Sequence, residues 1–268
     1  MSSSSLSFQR VVREGRVVYR VGHELIDEFV EFAEVRCRAN TVRAYAHDLK
    51  VFFDVVAKEP AEVTSRDVFR FIAVQQHPRV GAENLVRLSD GGAGLSASTI
   101  RRRLAAVSSF FSYLVVRGDT EVVVNPVPRG MPTRRSRHRE QRGVPLVRAT
   151  RRLPEILEPA EVEALLGALR THRDRAMIQA MLLGGLRRCE VLGLRLEDLR
   201  LGEWRLFIAD GKGGHQRLIP VSRSFFTTVA DYLNTERPTD AGTDRLFVVL
   251  KGARRGEPLS VDGLDEIL

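Results

Sequence analysis

Cysteine is scarce. The chain holds Cys37 and Cys189 and no C-x-x-C pair, so neither a disulfide framework nor a thiolate zinc site is indicated. Both thiols fall within helical patterns and are expected to be small buried side chains. The 6 histidines are scattered, none beside another at ligand spacing, so neither a metal nor any other cofactor is expected. No apolar run approaches the roughly 20 residues that span a bilayer. The start, MSSSSLSF, lacks the basic and apolar regions of a secretory signal. A cytoplasmic protein with no membrane partner is the expectation. Aromatic residues make up only 7% and sit on apolar faces, away from the basic runs, which removes the stacking platform of an RNA or single-strand binder. No long internal repeat is visible.

What the sequence does contain is enough for packing. At 268 residues, with 43% hydrophobic and 28% charged side chains, it has the balance of a globular protein and the length for two domains. Acid is outnumbered. The formal charge of +8 is carried mostly by arginine, whose planar fork suits phosphate oxygens, so an acidic polymer is the first partner to consider.

The first half reads as helices divided by polar breaks. In ANTVRAYAHDLKVFFDVV the residues Val42, Tyr45, Leu49, Phe52 and Val56 recur at three and four, with Asn40 or Thr41 as cap. HELIDEFVEFAEV follows the same logic through Leu25, Phe29 and Phe32, and SRDVFRFIAV through Val68 and Ile72 behind a Ser65 cap. After the break DGGAGLSAS, the segment STIRRRLAAVSSFFSYLVVRG places Ile100, Leu104, Val107, Phe111 and Leu114 on one stripe and stops at Gly118. Arg101, Arg102 and Arg103 project around the positive start of that helix, which would face an anionic partner.

Between Asn125 and Arg152 prolines, glycines and many arginines stand against the single acid Glu140, a composition too charged and too broken to pack. A domain boundary is expected there. The segment, with Arg134 and Arg135, is either a solvated spacer or a basic strap that orders across a phosphate backbone.

The second half changes character. A helix opens near Pro159, and the apolar helix RDRAMIQAMLLGG ends at Gly184 and Gly185. LRRCEVLGLRLEDL resumes helical periodicity, and EWRLFIAD and HQRLIPV are strand-like runs joined by GKGG, a hairpin signal. A helix from Ser224 to Asn234, a buried strand RLFVVL and a short helix capped by Ser260 complete the pattern. Two cations in this half sit on supported backbone. Arg187 begins a helix with Glu190 three residues on, on the same side, able to orient the guanidinium. Lys212 stands at a hairpin tip among Gly211, Gly213 and Gly214, where little obstructs a ligand.

GGLRRCEVLGLRLEDL followed by ADGKGGHQRLIPV resembles the first catalytic arginine motif and the hairpin lysine motif of the tyrosine recombinases, the phage-integrase and Xer-type enzymes. NTVRAYAHDLKVFF, and STIRRRLAAVSSFFSYLVVRG with the later NP, are similar to the two long helices of that family's core-binding domain. The resemblance implies a mainly α chain with a small β-hairpin or sheet in its second domain. The domains expected are a tail (1–22), a helical core-binding domain (23–126), a basic linker (127–152) and a catalytic domain (153–268), the last incomplete at its C-terminus.

By that resemblance Arg187 would grip the non-bridging oxygens of a scissile phosphate, Lys212 would protonate the departing 5′ oxygen, and Glu190 would hold Arg187 in place. Asp198 would be a structural helix-end acid. Arg43, Arg101, Arg102 and Arg103 are the expected DNA contacts of the first domain. Arg134 and Arg135 are those of the linker, and His215 and Arg217 those of the hairpin. The family's His-x-x-Arg motif and nucleophilic tyrosine have no counterpart here, since Tyr19, Tyr45, Tyr113 and Tyr232 fall where side chains pack. The expectation is a chain that binds double-stranded DNA as part of a site-specific recombinase but cannot cut it alone. Free chain would be monomeric, while the family forms tetramers on two duplexes. The competing reading is a non-catalytic regulator or competitor at recombination sites.

Overall fold

The computed structural model describes residues 6–13, 16–76, 86–87, 93–130, 145–148 and 156–267. It divides into two compact units, Met1–Arg152 and Leu153–Leu268. The chain is mainly helical with small antiparallel sheets, as the sequence predicts. No described helix is long and apolar enough to cross a membrane.

The first unit opens with a hairpin, β1 (Gln9–Arg13) and β2 (Arg16–Arg20), paired from Gln9 with Arg20 to Arg13 with Arg16. This corrects the expectation of a tail: Val18 and Val21 are buried, and the Val21 and Gly22 amides donate to the Asp27 carboxylate at 2.6 and 3.3 Å. Four helices follow: α1 (Glu24–Arg36), α2 (Ala39–Val56), α3 (Ser65–Gln76) and α4 (Ala97–Arg117), with the short pair β3 (Val86–Arg87) and β4 (Ala93–Gly94) before the last. The face of α1 that packs inward is Ile26, Phe29, Val30 and Ala33, so Phe32 lies outside it. Phe52, Phe53, Phe71, Phe110 and Phe111 form the centre, Phe52 meeting Phe71 edge-on at 5.0 Å and Phe53 meeting Phe110 at 5.7 Å.

Several caps differ from the sequence expectation. Arg38 precedes α2 without a side-chain cap, and Asn40 and Thr41 lie inside the helix. Ser65 is the first residue of α3, and its hydroxyl donates to the Pro126 carbonyl at 2.8 Å instead of capping. The turn into α3 is closed by Asp67, which accepts from the Thr64 amide and hydroxyl at 2.9 and 2.8 Å and from Lys58 at 2.8 and 2.9 Å. Ser96 does cap α4, and Gly118 ends it in a left-handed conformation. The described parts of the predicted linker pack after all: Val127 and Val147 belong to the first core, and Asn125 reaches Ser108 and Ser112 on α4. Val127 and Val147 are apolar exceptions in a segment whose average composition is that of a spacer.

The second unit contains α5 (Pro159–Ala168), α6 (His172–Gly184), α7 (Arg188–Gly193), α8 (Arg223–Thr235) and α9 (Val261–Asp265) around a sheet of β5 (Leu199–Arg200), β6 (Arg205–Ile208) and β7 (Arg217–Pro220). Pro159 opens α5, and Glu161 returns to the Glu158 amide at 2.8 Å. β6 and β7 pair from Arg205 with Pro220 to Ile208 with Arg217, which confirms the hairpin. The predicted strand RLFVVL is not one. Leu246, Phe247 and Val248 are buried, but the segment makes only isolated bridges. Backbone bonds from the Leu246 amide to the Leu194 carbonyl at 2.9 Å and from the Leu259 amide to the Phe247 carbonyl at 3.2 Å tie it down. The Tyr232 hydroxyl adds two more, donating to the Leu246 carbonyl at 3.0 Å and accepting from the Val248 amide at 3.2 Å. The cysteines also depart from expectation: Cys37 follows α1 half-buried, and Cys189 is exposed because α7 turns Glu190 and Val191 inward.

Candidate functional site

The junction between α6 and α7 places the first arginine. Gly185 adopts φ +62°, a left-handed conformation that ends α6, and the Leu186 amide returns to the Ala180 carbonyl at 3.3 Å. Leu186 is buried, so the turn is anchored when Arg187 takes the cap position of α7 in extended conformation. Three residues on, the Glu190 carboxylate comes back to that cap. Its Oε2 accepts the Arg187 amide at 2.8 Å and its Oε1 accepts Nη1 of Arg187 at 3.1 Å. Two more bonds arrive from β7, where Arg217 Nη1 donates to Oε1 at 3.0 Å and Nη2 to Oε2 at 2.9 Å.

Burial decides what this cluster can do. The Glu190 side chain is 1% exposed, that of Arg187 53% and that of Arg217 34%. A buried carboxylate is thus fully engaged, while the Arg187 guanidinium keeps donors directed to solvent. Hydrogen bonds from Arg217, then from the Arg187 amide and guanidinium, hold the Glu190 carboxyl well below the ordinary glutamate value, at about 2, against the opposing effect of burial. Glu190 therefore stays ionised near neutral pH. Two guanidinium groups against one carboxylate leave one positive charge in the cluster. A fixed guanidinium with unused donors has the charge and geometry to take an oxyanion.

The predicted hairpin lysine belongs to the loop between β6 and β7. Lys212 opens a 3₁₀ turn, Lys212–Gly214, between β6 and β7, with Gly213 and Gly214 at φ +83° and +81°. The Lys212 side chain lies outside the described residues. Its neighbour Gly211 packs against the cluster, for a Cβ there would stand 2.6 Å from Nη1 of Arg217 and would collide with the His215 carbonyl. His215 is exposed beside Gly213. Asp198 is buried and accepts the Arg195 amide at 2.8 Å, closing the turn after α7. Arg188 pairs with Asp265, tying α7 to α9.

The first unit gathers a separate group of predicted cations. Arg43 on α2 and Arg101 on the first turn of α4 are exposed. Arg102 is only half-exposed and pairs with Asp48, whose side chain is fully buried. Arg103 is held more firmly, donating to Gln75 Oε1 at 2.8 Å and lying 3.7 Å from Asp48. Burial pushes the Asp48 carboxyl up from its ordinary value, against the pull of Arg102, Arg103 and His47. Arg134 and Arg135 lie outside the described residues.

Sequence reasoning missed Asp48 and Gln75, and it placed Gly211 at the hairpin tip without its packing against Arg217. Asp48 gave a signal, since it sits four residues before the buried Phe52 and so shares its face. The bond between Arg217 and Glu190 spans 27 residues, and nothing local announces it. Among the described residues no group of His, Cys, Asp or Glu could hold a metal ion.

Comparison with known proteins bears on both units. The model of the phage integrase family matches residues 155–268, and that of the phage integrase N-terminal SAM-like domain matches residues 26–118. The chain belongs to the phage integrase family of tyrosine recombinases. It is 28% identical over 228 residues to tyrosine recombinase XerD of Listeria monocytogenes, covering 81% of this chain and 66% of that protein. Tyrosine recombinase XerC of Thermodesulfovibrio yellowstonii is 30% identical over 200 residues, covering 73% of this chain and 56% of that one. The recombinase-family chain thus spans less than two thirds of the length of these relatives. Its fold is similar to lambda integrase in a tetramer bound to a Holliday junction, with a TM-score of 0.59 at 14% identity over 90% of this chain and 62% of that one. XerH bound to its difH substrate before cleavage gives a TM-score of 0.53 at 18% identity, covering 88% and 61%. The two family matches fall one in each compact unit.

Proposed function

We propose that this chain is the duplex-binding and phosphate-gripping part of a site-specific DNA recombinase. The observation that carries the reading is the half-exposed Arg187 guanidinium fixed from behind by a buried carboxylate. In phosphoryl transfer negative charge grows on the non-bridging oxygens as the attacking and leaving oxygens line up, and a pre-oriented guanidinium stabilises that charge without reorganising. Arg187 supplies this grip. Lys212, at its glycine-flanked hairpin tip, is the group suited to protonate the departing 5′ oxygen once a nucleophile is supplied. Arg43, Arg101 and the partly engaged Arg102, with Arg134, Arg135 and His215, contact the DNA backbone.

These 268 residues bind without cutting. Complete family enzymes break DNA through a 3′-phosphotyrosine, and no tyrosine among the described residues is offered for that role. Tyr232 is fully buried and its hydroxyl is committed to the 246–248 segment. Tyr19 stacks on Phe8, Tyr45 on Phe29, and Tyr113 packs on Phe32, all in the first unit. Tetrameric assembly on two duplexes, with a monomeric free chain, belongs to the same reading. Incubation with a nicked suicide duplex checks it: binding weakens steeply with salt, by about 0.9 in logarithmic slope per phosphate contact, and no denaturant-resistant adduct forms. Salt-independent binding contradicts the grip, and a covalent adduct contradicts the inactivity.

A further inference from the structure

Arg217 stands between two parts of the site that the chain supplies separately. α7 brings Arg187 and Glu190, whereas Arg217 opens β7 directly after the loop that carries Lys212. We propose that Arg217 is a positioning residue: through Glu190 it holds the Lys212 loop and the Arg187 guanidinium in one frame, and it is not itself a phosphate contact. This rests on the reading of the site as a grip on a DNA phosphate.

Three features of the geometry lead there. Arg217 spans both carboxylate oxygens with two parallel bonds of 3.0 and 2.9 Å, which fixes the plane of the guanidinium as well as its distance. Those bonds are two of the four that reach the buried Glu190 carboxylate, so turning Arg217 toward a phosphate would strip half the support from a charge that water does not reach. The same guanidinium fills the space that a side chain at residue 211 would occupy, its Nη1 2.6 Å from where that Cβ would stand. The residue immediately before Lys212 therefore rests on Arg217, Arg217 on Glu190, and Glu190 on Arg187. Of the two arginines, Arg187 is the more exposed and faces outward, while Arg217 braces.

A lysine at 217 keeps the charge but cannot span both oxygens, so Arg217→Lys separates charge from geometry. Two measurements on the full chain are decisive. The first is amide exchange at Gly214, whose N–H donates to the Gly211 carbonyl at 3.0 Å, compared with amides of α8. The second is acylation of Lys212 by an amine-specific reagent with and without saturating duplex, with Lys50, Lys58 and Lys251 as internal references.

In the wild type, duplex shields Lys212. In both Arg217→Lys and Arg217→Gln, exchange at Gly214 is expected to rise by about tenfold, the scale of one lost charge-assisted hydrogen bond. The shielding of Lys212 is lost, while α8 exchange and the salt slope of binding stay as in the wild type. Glu190→Gln, which keeps both arginines and weakens only the carboxylate between them, should reproduce the same loop signature, and it decides the matter if the Arg217 variants fail to fold. A wild-type loop and wild-type shielding, with a salt slope shallower by about 0.9, would make Arg217 a phosphate contact and overturn the proposal. Exchange that rises equally in α8 would reduce Arg217 to general stability and overturn it too. If the wild type binds no duplex, the DNA reading fails, yet the exchange comparison needs no DNA and still decides the tether.

Discussion

Glu190 concentrates the chemistry of the site in one side chain. Its carboxyl is held at about 2 against an ordinary value of 4.5, chiefly by Arg217 and then by the Arg187 amide and side chain. A carboxyl depressed on folding contributes stability that is complete above the unfolded value and disappears as pH falls through the folded one. The window is therefore between about pH 4.5 and pH 2. The shift corresponds to roughly 3 kcal/mol, a figure that applies because the side chain is buried. Glu190→Gln is expected to lower the melting temperature of the second unit at pH 7 and to flatten its decline between about pH 4.5 and pH 2. Thermal denaturation across that range checks this, and parallel declines in variant and wild type would contradict it. The sequence announced half of this arrangement. An acid three residues after Arg187, at the start of a helix, is a local pattern, and the structure bears out the contact. Arg217 supplies the other half from a distant strand, and only the register of the β6–β7 hairpin brings it there.

Elements matter most in the first unit, where α2, α3 and α4 meet at a polar knot. Asp48 of α2 is buried against Arg102 and Arg103 of α4, and Gln75 of α3 accepts a hydrogen bond from Arg103 while donating to the Phe71 carbonyl at 3.1 Å. Part of the basic start of α4 is thereby spent on holding helices together. The apolar periodicity of α2 and α4 was readable because each helix repeats its buried positions over several turns. The knot was not, because a single polar residue on an apolar face carries no period. Asp48→Asn removes the charge and keeps the shape, so it releases Arg102, already half-exposed, to a phosphate. Duplex affinity is then expected to rise at low salt, and the slope of its logarithm against that of salt to steepen by about 0.9. Fluorescence anisotropy over a salt series measures both, and an unchanged slope would show that Arg102 does not reach DNA.

At the scale of the molecule, the chain joins two folded units whose cores are built differently. The first is knit by phenylalanines contributed from α1 to α4, and the second by apolar faces of α6 and α8 closing on a three-stranded sheet. The division was legible from composition, since a run of prolines, glycines and arginines lies between two periodic halves. The N-terminal hairpin was not, because its alternating QRVVR and RVVYR are short and rich in arginine, and their pairing supplies what their composition hides. In the proposed function the side chains of residues 187 and 212 meet one backbone phosphate of bound duplex. The direct test is to select a tight-binding duplex and replace its phosphates singly by methylphosphonates, following the Arg187 guanidinium and Lys212 ammonium resonances of labelled protein. One position is expected to abolish the DNA-induced shifts of both groups together. Loss of the two shifts at different positions, or at none, would show that the two side chains do not share a phosphate.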